Sequence, residues 1–230
     1  MGGPTRGLER KSSSTDLVSD ADRDAERLIA DLIRRERPDD GLVGEEGADQ
    51  PGRSGRRWVV DPLDGTTNFL YGFPAWSVSI ALEDEEGTCA GVVHDPSRGE
   101  TFSAARGGGA RLNTTPIEAS GCTELGLALV STGFGYGADR RSAQAEVVAR
   151  VLPRVRDIRR PGSAALDLAY VACSRVDAYY ERDLKPWDWD AGRLIAREAG
   201  AAVRDLDGDP PALVAAATPD LLEALVELVA

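Results

Sequence analysis

Residues 58–69, Trp58-Val-Val-Asp61-Pro-Leu-Asp64-Gly-Thr66-Thr-Asn-Phe69, run from an apolar triplet straight into a carboxylate, with a second carboxylate three residues on. The triplet has the signature of a buried strand. A buried strand that ends in one acid and is followed at once by another aims two hard oxygen ligands at a single point. Pro62 stiffens the turn and donates no backbone hydrogen bond. Gly65 lets the backbone approach a ligand closely. Thr66-Thr-Asn-Phe69 can begin a helix whose free N–H groups face a bound phosphate. Taken alone, the segment also reads as an ordinary Asp-Pro-x-Asp-Gly turn.

Other chemistries lack their residues. The single histidine, His94, sits where a strand runs into a turn, so histidine phosphoryl transfer, a three-histidine zinc site and a Ser-His-Asp triad are disfavoured. Cys89, Cys122 and Cys173 are far apart without metal spacing and read as reduced, buried thiols of a cytoplasmic protein. No Gly-x-x-x-x-Gly-Lys-[Ser/Thr] and no strand-borne Gly-x-Gly-x-x-Gly occurs. Gly107-Gly-Gly109 and Asp205-Leu-Asp-Gly-Asp209 read as turns, the latter with Pro210 where a calcium loop needs glycine. A net charge of −12 argues against nucleic acid or an anionic membrane as partner. No apolar run reaches membrane-spanning length, and Met1–Arg10 lacks the apolar stretch of a signal peptide. Carboxylates remain, and they suggest hard divalent metals.

The patterning divides the 230 residues near Gly121. Ser19 reads as the N-cap of a helix to about Arg37, with Asp22 at its third position and an apolar stripe of Ala21, Ala25, Leu28, Ile29, Leu32 and Ile33. Strands follow over 58–60, 77–82, 89–94 and 100–105. Beyond Gly121, strands over 127–131, 155–158, 176–180 and 201–204 alternate with helices over 142–152, 162–174 and 188–199. A last helix is capped by Thr218, with Pro219 in its first turn. Alternation in this half predicts a layered α/β unit. The expected organisation is one domain over 1–230, with an α+β half at about 11–120 and an α/β half at about 121–230.

Two distant segments add acids: Gly44-Glu45-Glu46 after a short apolar run, and Trp187-Asp188 at a helix start. Alone, Glu45-Glu46 reads as a solvated turn and Asp188 as an N-cap. Together with Asp61–Phe69, Ser163-Ala-Ala165 and Asp177-Ala-Tyr-Tyr-Glu181, they make the chain resemble the inositol monophosphatase family of metal-dependent, lithium-sensitive phosphatases, from about Lys11 to the C-terminus. The resemblance implies an αβαβα layered sandwich of the sugar-phosphatase type and a homodimer. It implies two or three Mg²⁺ ions and attack of a Mg-activated water on inositol monophosphate or a related phosphorylated polyol or sugar.

Carried over by position, Glu45, Asp61 and the carbonyl of Leu63 are expected to hold one ion, and Asp61, Asp64 and Asp188 a second. Asp22 and Thr66, with Glu45, are expected around the attacking water, and Lys11 near them. The backbone of Gly65 and Thr66 is expected to meet phosphate oxygens. Gly162, Ser163, Ala164 and Glu181, together with Asp64, are expected on the substrate side. Fructose-1,6-bisphosphatase, histidinol-phosphate phosphatase and 3′-phosphoadenosine phosphatase activities are alternatives on the same scaffold. A low-turnover regulatory binding protein is the alternative from another class.

Two positions depart from the family pattern. Asp190 stands two places after Asp188, where the family has a small residue. It reads either as a favourable acid in the first helical turn or as an extra carboxylate acting on the second metal. The family also places a helix before the lysine-containing loop, whereas ten residues precede Lys11.

Overall fold

The computed structural model describes residues 9, 10 and 17–230. Lys11 lies outside the described residues. Helix α1 covers Asp20–Glu36, capped by Ser19. Helices α2 (Thr66–Tyr71), α3 (Ala138–Val151), α4 (Ala164–Ala172), α5 (Pro186–Glu198) and α6 (Pro219–Val229) follow. An eight-stranded sheet has the spatial order 115–117, 110–112, 100–105, 87–95, 77–84, 57–64, 41–44, 49–50. It is antiparallel except where Gly41–Gly44 lies parallel to Arg57–Asp64. A second sheet has the order 157–159, 129–132, 178–182, 212–216, 202–206, with its first three strands parallel.

The five layers follow from which faces are apolar. Val59 and Val60 are neighbours on one strand and point to opposite sides. Val59 joins a core with Phe102 of the same sheet and with Leu168 and Ile195 of the middle helices α4 and α5, which also reaches Leu213 of the second sheet. Val60 packs with Ala30 and Ile33 of α1. The far face of the second sheet places Val130, Tyr180 and Val214 against Leu221 and Leu225 of α6. The order is therefore α1 and α2, large sheet, α4 and α5, small sheet, α3 and α6. The expected αβαβα sandwich is observed.

Several local expectations need correction. On α1, Leu28 and Leu32 are 63% and 43% exposed, while Asp22, Glu26, Ala30 and Ile33 are buried. The inward stripe thus begins with acids, because α1 serves the site at its N-terminal end. Ala212–Ala216 forms an interior strand of the small sheet, between Ala178–Arg182 and Ala202–Leu206, that the pattern did not reveal. It is buried on both faces, so it carries no alternation. The cysteines are free, as expected, but half-buried rather than buried. His94 bonds Thr101 Oγ1 at 2.9 Å within the sheet, a structural role. The 107–109 segment is a turn, as read, whereas Asp205 and Leu206 of the 205–209 segment end the strand Ala202–Leu206 and the turn begins only after them. No helix among the described residues is long and apolar enough to cross a membrane.

Candidate active site

The strand Arg57–Asp64 runs through the middle of the large sheet and carries Asp61 and Asp64 at its C-terminal end, where its register with Ser77–Asp84 shifts. Gly65 then takes a left-handed φ of 97° and starts α2. A Cβ there would lie 3.1 Å from the carbonyl oxygens of Ala75 and Gly162, so only glycine lets the three segments meet. The parallel strand Gly41–Gly44 delivers Glu45 beside Asp61. The turn holding Glu45 is fixed from α1, since Glu26 accepts from the N–H groups of Glu46 and Ala48, both at 2.8 Å.

These elements enclose a cavity of about 360 Å³, lined by Glu45, Asp61, Leu63, Asp64, Gly65, Thr66, Gly162, Ala164, Glu181 and Asp188 among others. Ten sequence-predicted positions thus come to one place from five separated segments. Asp188 arrives there as the third residue of α5, not as its cap. The N-cap is Lys185, whose N–H donates to Asp188 Oδ2 at 2.6 Å.

Two predicted residues stand behind the wall. Asp22 accepts from the Thr66 hydroxyl at 3.0 Å, and its other oxygen takes the N–H and hydroxyl of its own cap, Ser19. Ser163 is buried and caps α4. Its hydroxyl donates to Asp64 Oδ2 at 2.6 Å, and the Ala165 N–H adds a second bond to the same oxygen at 2.8 Å. Ser163 therefore orients Asp64 rather than lining the cavity as expected.

The electrostatics are those of crowded acids. Burial, then the charges of Glu45, Asp64 and Asp188, hold the Asp61 carboxyl well above the usual range. Asp188 is raised for the same reasons, with Asp64 the leading neighbour. Burial lifts Asp64 to about 6 against the pull of Ser163 and Ala165. Glu181 is lifted to about 7 by burial, opposed by the Tyr179 hydroxyl, which donates to it at 2.7 Å. Among the described residues no three acids surround a common point closely enough to hold an ion as they are placed. The donor set nevertheless fits a hard divalent cation: it is all oxygen, and its carboxylates raise one another's pKa.

Sequence reasoning missed several site residues. The Gly133–Tyr136 loop and Arg160 line the cavity without any motif to mark them. Asp167 is buried near Glu181, with the Ser131 hydroxyl as its neighbouring hydrogen-bonding group. Its place in α4, four residues after Ser163, was the available signal. Asp190, by contrast, leaves the site. It borders a separate cavity with Glu83, Arg193 and Arg197, so neither expectation for it holds. It is only 7% exposed and is the fifth helical residue, not an acid of the first turn.

A family model described as the inositol monophosphatase family matches residues 4–229. The chain belongs to the inositol monophosphatase family. An inositol-1-monophosphatase of Mycobacterium bovis is 46% identical over 231 residues, covering 95% of this chain and 80% of the relative. A protein of Xylella fastidiosa named Nus factor SuhB is 47% identical over 199 residues, covering 86% of this chain and 72% of the relative. The crystal structure of extragenic suppressor protein suhB from Bartonella henselae superposes with a TM-score of 0.91 at 38% identity, covering 96% of this chain and 87% of that one.

Proposed function

We propose that the protein is a magnesium-dependent phosphoric monoester hydrolase acting on inositol monophosphate or a closely related polyol phosphate. The observation that carries this reading is the convergence of Glu45, Asp61, Asp64 and Asp188 on one cavity, with the Thr66–Asp22 pair at its edge. Glu45, Asp61 and the Leu63 carbonyl would hold one ion, and Asp61, Asp64 and Asp188 a second. When bound, the ions supply positive charge to a phosphate dianion and lower the pKa of a water.

The chain's own residues supply position and a proton path. With its hydrogen on Asp22, the Thr66 hydroxyl keeps its lone pairs free to accept from a water, and Glu45 stands on the same wall. The Thr66–Asp22 pair and Glu45 are the groups placed to orient that water and receive its proton. Gly65 and Thr66 offer backbone N–H groups to phosphate oxygens. Gly162 and Ala164 border the polyol, and Glu181 accepts from a ring hydroxyl. The packing of α4 and α5 against both sheets supports a single functional domain, and a homodimer belongs to this reading.

A second reading, a regulatory binding protein, is favoured by the relative named Nus factor SuhB. The intact acidic cavity supports the enzyme. Phosphate release from inositol 1-phosphate, fructose 1,6-bisphosphate, histidinol phosphate and a 3′-phosphonucleotide, with Asp61→Asn as control, tests it. Magnesium-dependent release that Asp61→Asn abolishes is the expected result. No release from any ester overturns the enzymatic reading.

A further inference from the structure

Helix α5 serves two spaces. Asp188 faces the acid-lined cavity, and a rotation of about 200° over the next two residues carries Asp190 into the wall of a separate hollow of about 390 Å³. No residue lines both. Asp190, Arg193, Leu194 and Arg197 form one side of the hollow, spaced so that they share a face of the helix. The hairpin joining the strands 77–84 and 87–95 brings Glu83 and Glu86 to the other side.

Most charged groups around this hollow are already committed. Glu83 holds Arg57 at 2.6 Å, and Arg106 is held by Asp84 and Glu86, both at 2.9 Å. Glu198 accepts from the N–H groups of Gly107 and Gly109. Arg193, one turn beyond Asp190, would be its natural partner. It turns instead to Asp205 at 2.8 Å and lies over the Trp189 ring. Two groups are left over. Asp190 is only 7% exposed, and its carboxyl makes no hydrogen bond or ion pair with any described residue. Its Oδ2 is sealed from solvent, so Oδ1 is the oxygen open to the hollow. Arg197 is exposed at the other end, and its guanidinium also has no partner among the described residues.

A buried carboxyl without a donor carries a desolvation cost that a donor on a ligand would remove. Asp190 and Arg197 stand seven residues apart, about 10 Å along one face of α5. Long helical side chains lean toward the N-terminus, so Arg197 closes part of that gap. Leu194 lies buried between them as an apolar floor. An anion alone would leave Asp190 bare, and a cation alone would leave Arg197 unused. We propose that this hollow binds a small linear zwitterion, with its ammonium group on Asp190, its carboxylate on Arg197 and several methylenes over Leu194. Lysine and the ω-amino acids have this chemistry. The site goes beyond the phosphatase reading and does not depend on it.

The test is calorimetry with 6-aminohexanoate on the wild type, Asp190→Asn and Arg197→Ala, in millimolar magnesium to occupy the acids of the main cavity. Hexanoate and hexylamine, which carry one charge each, serve as half-ligands. Saturable binding of 6-aminohexanoate is expected, with either half-ligand about 10-fold weaker. Each substitution should weaken 6-aminohexanoate by about the same factor. Asparagine keeps the shape of Asp190 and Arg197 is exposed, so both variants should fold, which a cooperative thermal melt checks. No binding of 6-aminohexanoate to the wild type at millimolar concentration overturns the proposal, as does an affinity that survives either substitution. Hexanoate binding as tightly as 6-aminohexanoate would make the hollow a plain anion site. Hexylamine binding as tightly would make it a plain cation site, and either result overturns the zwitterion assignment.

Discussion

The Thr66 hydroxyl lies 3.0 Å from Asp22 Oδ1, joining the first turn of α2 to the first turn of α1 across the edge of the acidic cavity. Among the described residues the Leu63 carbonyl, at 3.2 Å, is its only competitor for the proton. A hydroxyl has one hydrogen, and the charged acceptor wins it. If the pair acts as one unit on a water, Thr66→Ala and Asp22→Asn should each lower kcat by roughly 100-fold or more. The double variant should be little worse than either single one. Thr66→Ser should retain most activity. Independent, multiplicative losses in steady-state assays would show that the two residues do separate jobs.

Asp61 predicts a stability effect. Its folded pKa is raised, so the ionised form is penalised in the fold, and the penalty grows as pH rises above the unfolded value near 4. Asp61→Asn should therefore raise the melting temperature of the metal-free protein at pH 7.5. In the wild type, magnesium at a hundredfold excess over its Kd should add about 2.7 kcal/mol, or roughly 5–10 °C in Tm for a chain of this size. The variant should lose most of that gain. Thermal melts with and without millimolar magnesium check both statements, and a wild type indifferent to the ion contradicts them.

What could be read in advance, and what could not, follows from the kind of information each feature needs. Asp61, Asp64 and Gly65 were legible because an apolar strand ending in two acids is a local pattern. The five layers were legible once the resemblance was recognised. Ser163 was expected on the substrate side, but that its hydroxyl reaches Asp64 is a tertiary fact, 99 residues apart in the chain. Leu28 and Leu32 misled because hydrophobic periodicity assigns the inward face to apolar residues, while α1 turns Asp22 and Glu26 inward. The strand Ala212–Ala216 offered neither alternation nor β-branched density beyond Val214.

Asp190 is the case in which helix geometry alone decides. Two residues along a helix amount to about 200° of rotation, so a residue two places after Asp188 must face away from the site. There its Oδ2 has no partner, and burial, with Glu83 next, lifts its pKa to about 7. Below pH 4 both folded and unfolded forms are protonated and nothing is lost. From about 4 to 7 the unfolded chain releases its proton first, so stability falls, and above 7 the penalty is complete. It is on the order of 2–4 kcal/mol. Asp190→Asn should raise Tm by several degrees at pH 8 and much less at pH 5, with the magnesium dependence of activity unchanged. Equal Tm changes at the two pH values would contradict the burial argument, and a shifted magnesium requirement would return Asp190 to the metal site.

Gly133 and Glu181 make the most direct steric prediction. A Cβ on Gly133 would overlap both carboxylate oxygens of Glu181, so the glycine is the space into which that acid fits. The half-buried acid is held in that position by the Tyr179 hydroxyl, which it would have to release to turn aside. Gly133→Ala should push Glu181 out of place and lower kcat/KM for inositol 1-phosphate by roughly 10-fold to 100-fold, mainly through KM if Glu181 meets a ring hydroxyl equally in ground and transition states. Shortening the acid relieves the overlap, so Gly133→Ala combined with Glu181→Asp should be better than the product of the two single variants, a favourable coupling in a double-mutant cycle. Full activity in Gly133→Ala would mean that Glu181 does not touch the substrate, and the polyol would then have to lie against Gly162 and Ala164 instead.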